Sequence, residues 1–245
     1  MSAAPELNIR QLDDHVTVFD IPFSRFGILP IGNRSTSLKL SGDRLFVVVS
    51  SPCDEPTKAK LATLGTVSYL VAPDLEHTMR IAEWHQAYPE AKCIGVEGVA
   101  EKKPEIKWEG VMGQGGETKT YGFEDEIKLQ YFPGHTNKEI AVLHIPTQTL
   151  VQADLIFNLP CTEQYAKAST NGKAFWPLSI FQSKAVAGHP FIPNMTSKDK
   201  VAMARDVAVV NGWDFDRMIP CHGNVINTGA KDIWHKAFSF LSTKQ

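Results

Sequence analysis

Val67-Ser68-Tyr69-Leu70-Val71-Ala72-Pro73-Asp74-Leu75-Glu76-His77 is the stretch that decides how this chain folds. Its first five residues make a largely apolar run, the signature of a strand buried on both faces of a sheet. The run breaks at Ala72-Pro73, and three polar groups follow at once: Asp74, Glu76 and His77. Loops at strand ends, carried on a rigid sheet, are where binding and catalytic groups concentrate. A helix is predicted from Leu75 to about Tyr88, with Asp74 as its N-cap.

Working outward, Leu45-Phe46-Val47-Val48-Val49 is a second buried run, entered through a turn at Ser41-Gly42-Asp43-Arg44. The two runs are predicted to be neighbours in one sheet. His15–Phe19 and Ser37–Leu40 read as earlier strands, and Lys92–Val96 as a later one. Pro56–Leu64 suits a short helix stopped by Gly65. Residues 98–120, rich in Gly, Lys and Glu, read as a mobile surface connection. The strand pattern returns at Ile127–Phe132, Ile140–Ile145, Thr149–Gln152 and Arg217–Pro220. Helices are predicted at Ser197–Val210 and Lys231–Leu241.

Residues 158–196 carry Pro160, Pro177, Pro190, Pro193 and several aromatics. An irregular segment this long is uncommon unless it is a lid or a binding loop. It is predicted to cover the strand ends. Phe175, Trp176, Phe181 and Phe191 either wall a pocket there or form the loop's own small core. No repeat or linker interrupts the pattern, so residues 1–245 read as one domain, a layered α/β sandwich.

Charge and composition narrow the partners. The net charge is −2 and no long basic run occurs, which argues against nucleic acid. No apolar run reaches the roughly 18 residues of a membrane span. The first 15 residues are polar and acidic, unlike a secretory signal. Cys53, Cys93, Cys161 and Cys221 are widely spaced, as expected of reduced thiols in a cytoplasmic protein. A small-molecule substrate is the expected partner; oligomeric state is not legible.

Other polar residues also follow predicted strands. His135 lies in Phe132-Pro133-Gly134-His135-Thr136, Asp154 in Gln152-Ala153-Asp154-Leu155, and His222 in Pro220-Cys221-His222-Gly223. Each taken alone has a plainer reading: His77 on a helix face, His135 in a turn, Asp154 as a helix N-cap. Together, imidazoles and carboxylates are the donor set of zinc, iron and manganese sites. Cys221 reads as an inert buried thiol, and His189 as a solvated loop residue.

The order of these stations resembles the metallo-β-lactamase superfamily, over most of the chain from the first strand to His222. There, H-x-H-x-D-H follows the second buried strand, followed by a G-H-T-type His, an A-D-type Asp and a final His. This chain offers Ala72-Pro73-Asp74-Leu75-Glu76-His77, Gly134-His135-Thr136, Ala153-Asp154 and Cys221-His222-Gly223. Ala72 stands at the first His position, Asp74 at the second, and Glu76 at the Asp position. The usual Asp-x-Gly after the first buried run is replaced by Ser50-Ser51-Pro52-Cys53. The chain is therefore similar to a divergent branch with an altered first motif.

The resemblance implies a four-layer αββα sandwich and metal ligands Asp74, Glu76, His77, His135, Asp154 and His222. One site would hold Glu76, His77, Asp154 and His222, and a weaker one Asp74, His135 and bridging Asp154. Zinc is implied. The oxygen-rich mixture keeps iron or manganese open, as does a carboxylate at the middle motif position in the flavodiiron relatives. The activity implied is hydrolysis of an ester, thioester, lactone or amide by metal-activated water, with Asp74 or Asp154 orienting the nucleophile or moving protons. Two rivals stand beside it: a non-catalytic or regulatory binding protein on the same scaffold, suggested by Ala72, and a redox-active iron protein. Elemental analysis of protein purified without chelator or added metal separates the three. Tightly held zinc is the outcome expected of the hydrolase, iron with oxygen reactivity that of the redox protein, and no metal that of the binding scaffold.

Overall fold

A computed structural model describes residues 6–242; the first five residues, part of the stretch read as lacking a secretory signal, lie outside it. Seven strands form the larger sheet: β1 (Asn8–Gln11), β2 (Val16–Ile21), β5 (Asn33–Lys39), β6 (Arg44–Val48), β7 (Thr66–Val71), β8 (Lys92–Val96) and β9 (Trp108–Met112), in that order. A two-stranded hairpin, β3 (Ser24–Arg25) and β4 (Leu29–Pro30), projects between β2 and β5. The second sheet runs β10 (Ile127–Phe132), β11 (Glu139–His144), β12 (Thr149–Gln152) and β13 (Arg217–Pro220).

The two apolar runs are parallel neighbours, with Leu45 opposite Val67 and Val48 opposite Val71. Their side chains meet both an outer helix layer and the second sheet. One core cluster joins Phe46, Leu70 and Ile94 of the larger sheet to Tyr131, Ile140, Val142 and Val151 of the smaller, and also to Leu61 and Trp84 of the covering helices. Those helices are α1 (Glu55–Leu64), α2 (Ile81–Ala87) and α3 (Val99–Lys102). Asp54 caps α1 by accepting from the Thr57 N–H, and the helix ends at Gly65.

On the opposite face, α6 (Lys200–Asn211) buries Met203, Val207 and Val210, and α7 (Ala230–Ala237) buries Ala230, Trp234 and Ala237. The i, i+4, i+7 spacing on α6 is one helical stripe, and it packs with Phe132, Leu143 and Leu150. The result is helix, sheet, sheet, helix. In the described residues no helix is long and apolar enough to cross a membrane.

Three expectations are corrected. Residues 98–120 are not a featureless connection: they contain α3 and the edge strand β9, which pairs in parallel with β8. Residues 158–196 hold two short helices, α4 (Leu178–Lys184) and α5 (Phe191–Thr196), and a core of Ile31, Leu159, Cys161, Tyr165, Ala185 and Ile192. Phe181 and Phe191 pack on that core, whereas Phe175 and Trp176 are exposed. The helix predicted from Leu75 begins only at Ile81. Asp74 Oδ1 accepts the N–H groups of Glu76 and His77, both at 2.8 Å, the contacts expected of an N-cap. The turn it closes is not continued as helix until Ile81.

β6, β7, β12, β13 and β10 all deliver the loops after their C-terminal ends to the region of His77 and His222. At the far end of β11, His144 is fully buried, with Nδ1 on Thr147 Oγ1 at 2.7 Å and Nε2 without a partner. Burial, reinforced by nearby His15, pushes its imidazole down to about 4. As pH falls through the ordinary His value of roughly 6.5, the unfolded chain takes the proton first. This residue's contribution to stability is therefore lost between that pH and about 4, a drop on the order of 3 kcal/mol. Urea unfolding of wild type and His144→Gln across this window should show their stability difference changing with pH in this direction. A pH-independent difference refutes it.

Candidate metal centre

Each side chain at the centre has one polar atom committed to the scaffold and one left free. His77 Nδ1 is 2.8 Å from Asp74 Oδ2. An ionised carboxylate can only accept, so Nδ1 donates to it and Nε2 is the atom left facing the centre. His222 Nδ1 is 2.7 Å from the carbonyl of Gly32, so again Nδ1 donates and Nε2 faces the centre. Asn137 Nδ2 donates to Asp154 Oδ2 at 2.7 Å, leaving Asp154 Oδ1 buried and without a hydrogen-bond partner.

The free atoms converge. His77 Nε2 and His222 Nε2 are 3.2 Å apart, and His222 Nε2 is 3.2 Å from Asp154 Oδ1. Donor atoms of His77, Cys221 and His222 lie within 4.8 Å of one another, as do those of Asp74, His77 and Asp154. The electrostatics follow from this crowding. Burial opposes the imidazolium of His77, but Asp74, Cys221 and Asp154 raise it well above its ordinary value. His222 is also raised, against burial, by Cys221 and Asp154. Burial likewise opposes Asp154 ionisation, yet His77, His222 and His135 hold it well below the usual carboxylate range. Cys221, which burial alone would raise, is drawn down to about 7 by His77 and His222.

The predicted site residues do not all arrive here in the same way. His77, Asp154 and His222 meet directly. Asp74 is buried, but three hydrogen bonds from Glu76 N, His77 N and His77 Nδ1 occupy it; its geometry is that of an orienting carboxylate. His135 is buried beside them, outside both close clusters, with Nε2 unpartnered and its pKa lowered chiefly by burial. Glu76 is not brought to the centre: it is exposed and joins neither cluster. The turn that folds His77 inward points its neighbour outward. A cavity of about 770 Å³ between β9, β10 and α6 shares no residue with the centre.

Several supporting residues have no local sequence signal. Glu139 is wholly buried and accepts from Ala153 N at 2.6 Å and Asp154 N at 2.8 Å, fixing the Asp154 turn. Burial, with Asp74 and Asp154, pushes its carboxyl well above the usual range. Gly32, at φ +71°, must be glycine, because a Cβ there would sit 1.8 Å from Gln164 Oε1. Gln164 itself donates from Nε2 to the Cys221 carbonyl at 2.6 Å and accepts from Gly223 N at 2.8 Å. Arg34 Nη1 donates to the Pro220 carbonyl at 2.8 Å while its Nε binds Asp20 at 2.5 Å, both side chains fully buried. The turn after Ser50 needs no Asp-x-Gly: Ser35 Oγ accepts from both Ser50 N and Ser51 N at 2.8 Å.

No protein-family model matches the chain, and no curated protein matches it in sequence. Solved structures do. A metallo-β-lactamase from Pontibacter korlensis is 13% identical, with 97% of this chain and 100% of that one covered at a TM-score of 0.61. One from Hirschia baltica is 11% identical, covering 99% and 100%, also at 0.61. One from Erythrobacter litoralis, with β-mercaptoethanol in the active site, is 16% identical, covering 95% of each chain at 0.61. The chain has the metallo-β-lactamase fold.

The role of Gln164 is directly testable. Gln164→Ala strands the Cys221 carbonyl and the Gly223 N–H inside the protein, and each orphaned buried group costs about 1–3 kcal/mol. Urea unfolding should show a loss of roughly 2–6 kcal/mol. Unchanged stability would mean the last turn does not depend on this strap.

Proposed function

We propose that this centre binds one divalent transition ion, with His77, His222 and Asp154 among its ligands, and that the protein is a metal-dependent hydrolase of an ester, thioester, lactone or amide carbonyl. One observation carries the reading. Two largely enclosed imidazoles are locked by their Nδ1 atoms so that their Nε2 atoms face each other at 3.2 Å. Two such nitrogens need a cation between them, a proton or a metal ion. Two nitrogens on one tetrahedral zinc, each at about 2.0–2.1 Å, stand roughly 3.3 Å apart. The unpartnered Asp154 Oδ1 supplies an anionic donor at the same place. The residues therefore fit an ion of this class.

The ion, when bound, supplies a Lewis acid that makes water acidic enough to ionise near neutral pH. The chain supplies the rest. Asp74 and the Gly32 carbonyl fix the two imidazole tautomers, as outer partners of ligating His commonly do. Asn137 turns Asp154 so that Oδ1 faces inward. His135, kept neutral by burial, has the free Nε2 to hold or pass a proton beside the ligands. Asp74 is already saturated and Ala72 offers no donor, which favours one ion per chain over two.

Metal content and hydrolysis should be measured together on wild type, His77→Ala, His222→Ala, His135→Ala and Glu76→Gln. The wild type should carry about one ion. His77→Ala and His222→Ala should lose most of it, Glu76→Gln should match wild type, and His135→Ala should keep metal while losing activity. A wild type that takes up no transition metal overturns the metal reading. A metal-loaded protein inert on a broad ester, thioester, lactone and amide panel overturns the hydrolase reading.

A further inference from the structure

Cys221 precedes His222, and adjacent residues of an extended strand point to opposite faces. Here the strand has ended at Pro220, and the chain turns into Gly223 at φ +100°. Both neighbours can then face the same point. The Cys221 Sγ and one ring nitrogen each of His77 and His222 lie within 4.8 Å of one another. The thiol's other neighbours, all within its hydrogen-bond reach, are Asn33 Oδ1 at 3.3 Å, Ser50 Oγ at 3.4 Å and the Arg34 carbonyl at 3.7 Å. Asn33 Oδ1 already accepts from Ser50 Oγ at 2.5 Å and Arg34 N at 2.7 Å. The thiol is thus the third claimant on one oxygen.

We infer that Cys221 is itself a metal ligand: its thiolate joins His77 and His222 in a nitrogen–sulfur donor set. The inference rests on the metal reading above and deepens it. It makes good the donor lacking at Ala72 from a different strand end. It also tilts the metal toward zinc and away from manganese, because a soft thiolate suits the first and not the second. In the binding step the S–H bond breaks, the proton leaves to solvent, and the sulfur lone pair binds the ion. No electron is transferred.

The probe is cobalt(II), added to the full-length apoprotein in place of zinc. Visible d–d bands report that cobalt is bound; a near-ultraviolet sulfur-to-cobalt charge-transfer band reports a thiolate ligand. Wild type, Cys53→Ser, Cys93→Ser and Cys161→Ser should show both. Cys221→Ser and Cys221→Ala should keep the visible bands and lose the charge-transfer band. Their zinc affinity, measured by chelator competition, should fall at least roughly tenfold, since even outer partners of ligands are worth 10–100-fold. If the Cys221 variants fail to fold, the wild-type band and its survival in the other three replacements still assign it. Visible bands without the charge-transfer band in wild type overturn Cys221 ligation while leaving metal binding intact. If wild type binds neither cobalt nor zinc, both readings fall.

Discussion

Two imidazole Nε2 atoms held 3.2 Å apart are the constraint around which this protein is organised. Such an approach needs a proton or a metal ion between the nitrogens, and the scaffold imposes it. Asp74 fixes one ring and the Gly32 carbonyl the other. Gly32 can present that carbonyl only with a positive φ and no side chain, because Gln164 fills the space above it. Gln164 in turn grips the turn that carries Cys221 and His222. Next to it, Glu163 receives Arg10 and Arg34, and Arg34 reaches the Pro220 carbonyl. A buried pair such as Arg34–Asp20 is weak evidence for stability, because desolvation offsets its attraction. Here it has a visible structural consequence: it fixes where β13 ends.

What was legible in the sequence, and what was not, divides along the same line. β6 and β7 could be read because strands buried on both faces carry nearly continuous apolar runs. β9 could not: it is a short edge strand opening on Trp108 and polar Glu109, buried only at Gly110 and Met112, and Gly110 lacks a side chain because Tyr121 Oη occupies that space. Asp74 caps a turn as its sequence context suggested, but that turn is not continued and the helix begins only at Ile81. His77, His135, Asp154 and His222 stood out as polar groups at strand ends, a local signal. Gly32, Gln164, Asn137 and Glu139 carry no such signal. Their roles come from partners far away in the chain, 190 residues in the case of Gly32 and His222. Glu76 was singled out by its place in a motif, but a one-residue step around a tight turn reverses direction.

Fold similarity at 11–16% identity speaks for the layers and their order. It says nothing about which donors a given chain retains, since function resides in sites grafted onto folds. The argument for chemistry therefore rests on atoms. Asp154 Oδ1 and His135 Nε2 are buried without hydrogen-bond partners, and natural interiors leave few such groups unexplained. Asp154 Oδ1 lies within the centre, where a cation would satisfy it, and His135 Nε2 lies beside it.

The same atoms determine how such a ligand competes with protons. Asp74, Asp154 and Cys221 raise the proton affinity of His77 and His222 above that of a free imidazole. Those protons and a divalent ion claim the same Nε2 lone pairs, and metal ligands must be deprotonated to bind. An acidic solution thus opposes the ion twice, by protonating the imidazoles and by returning a proton to the thiol. Above neutrality the balance turns, because the negative groups that favoured the proton remain and favour the ion instead. The anionic surroundings that stabilise imidazolium are, by the same Coulomb interactions, what makes the centre a cation site.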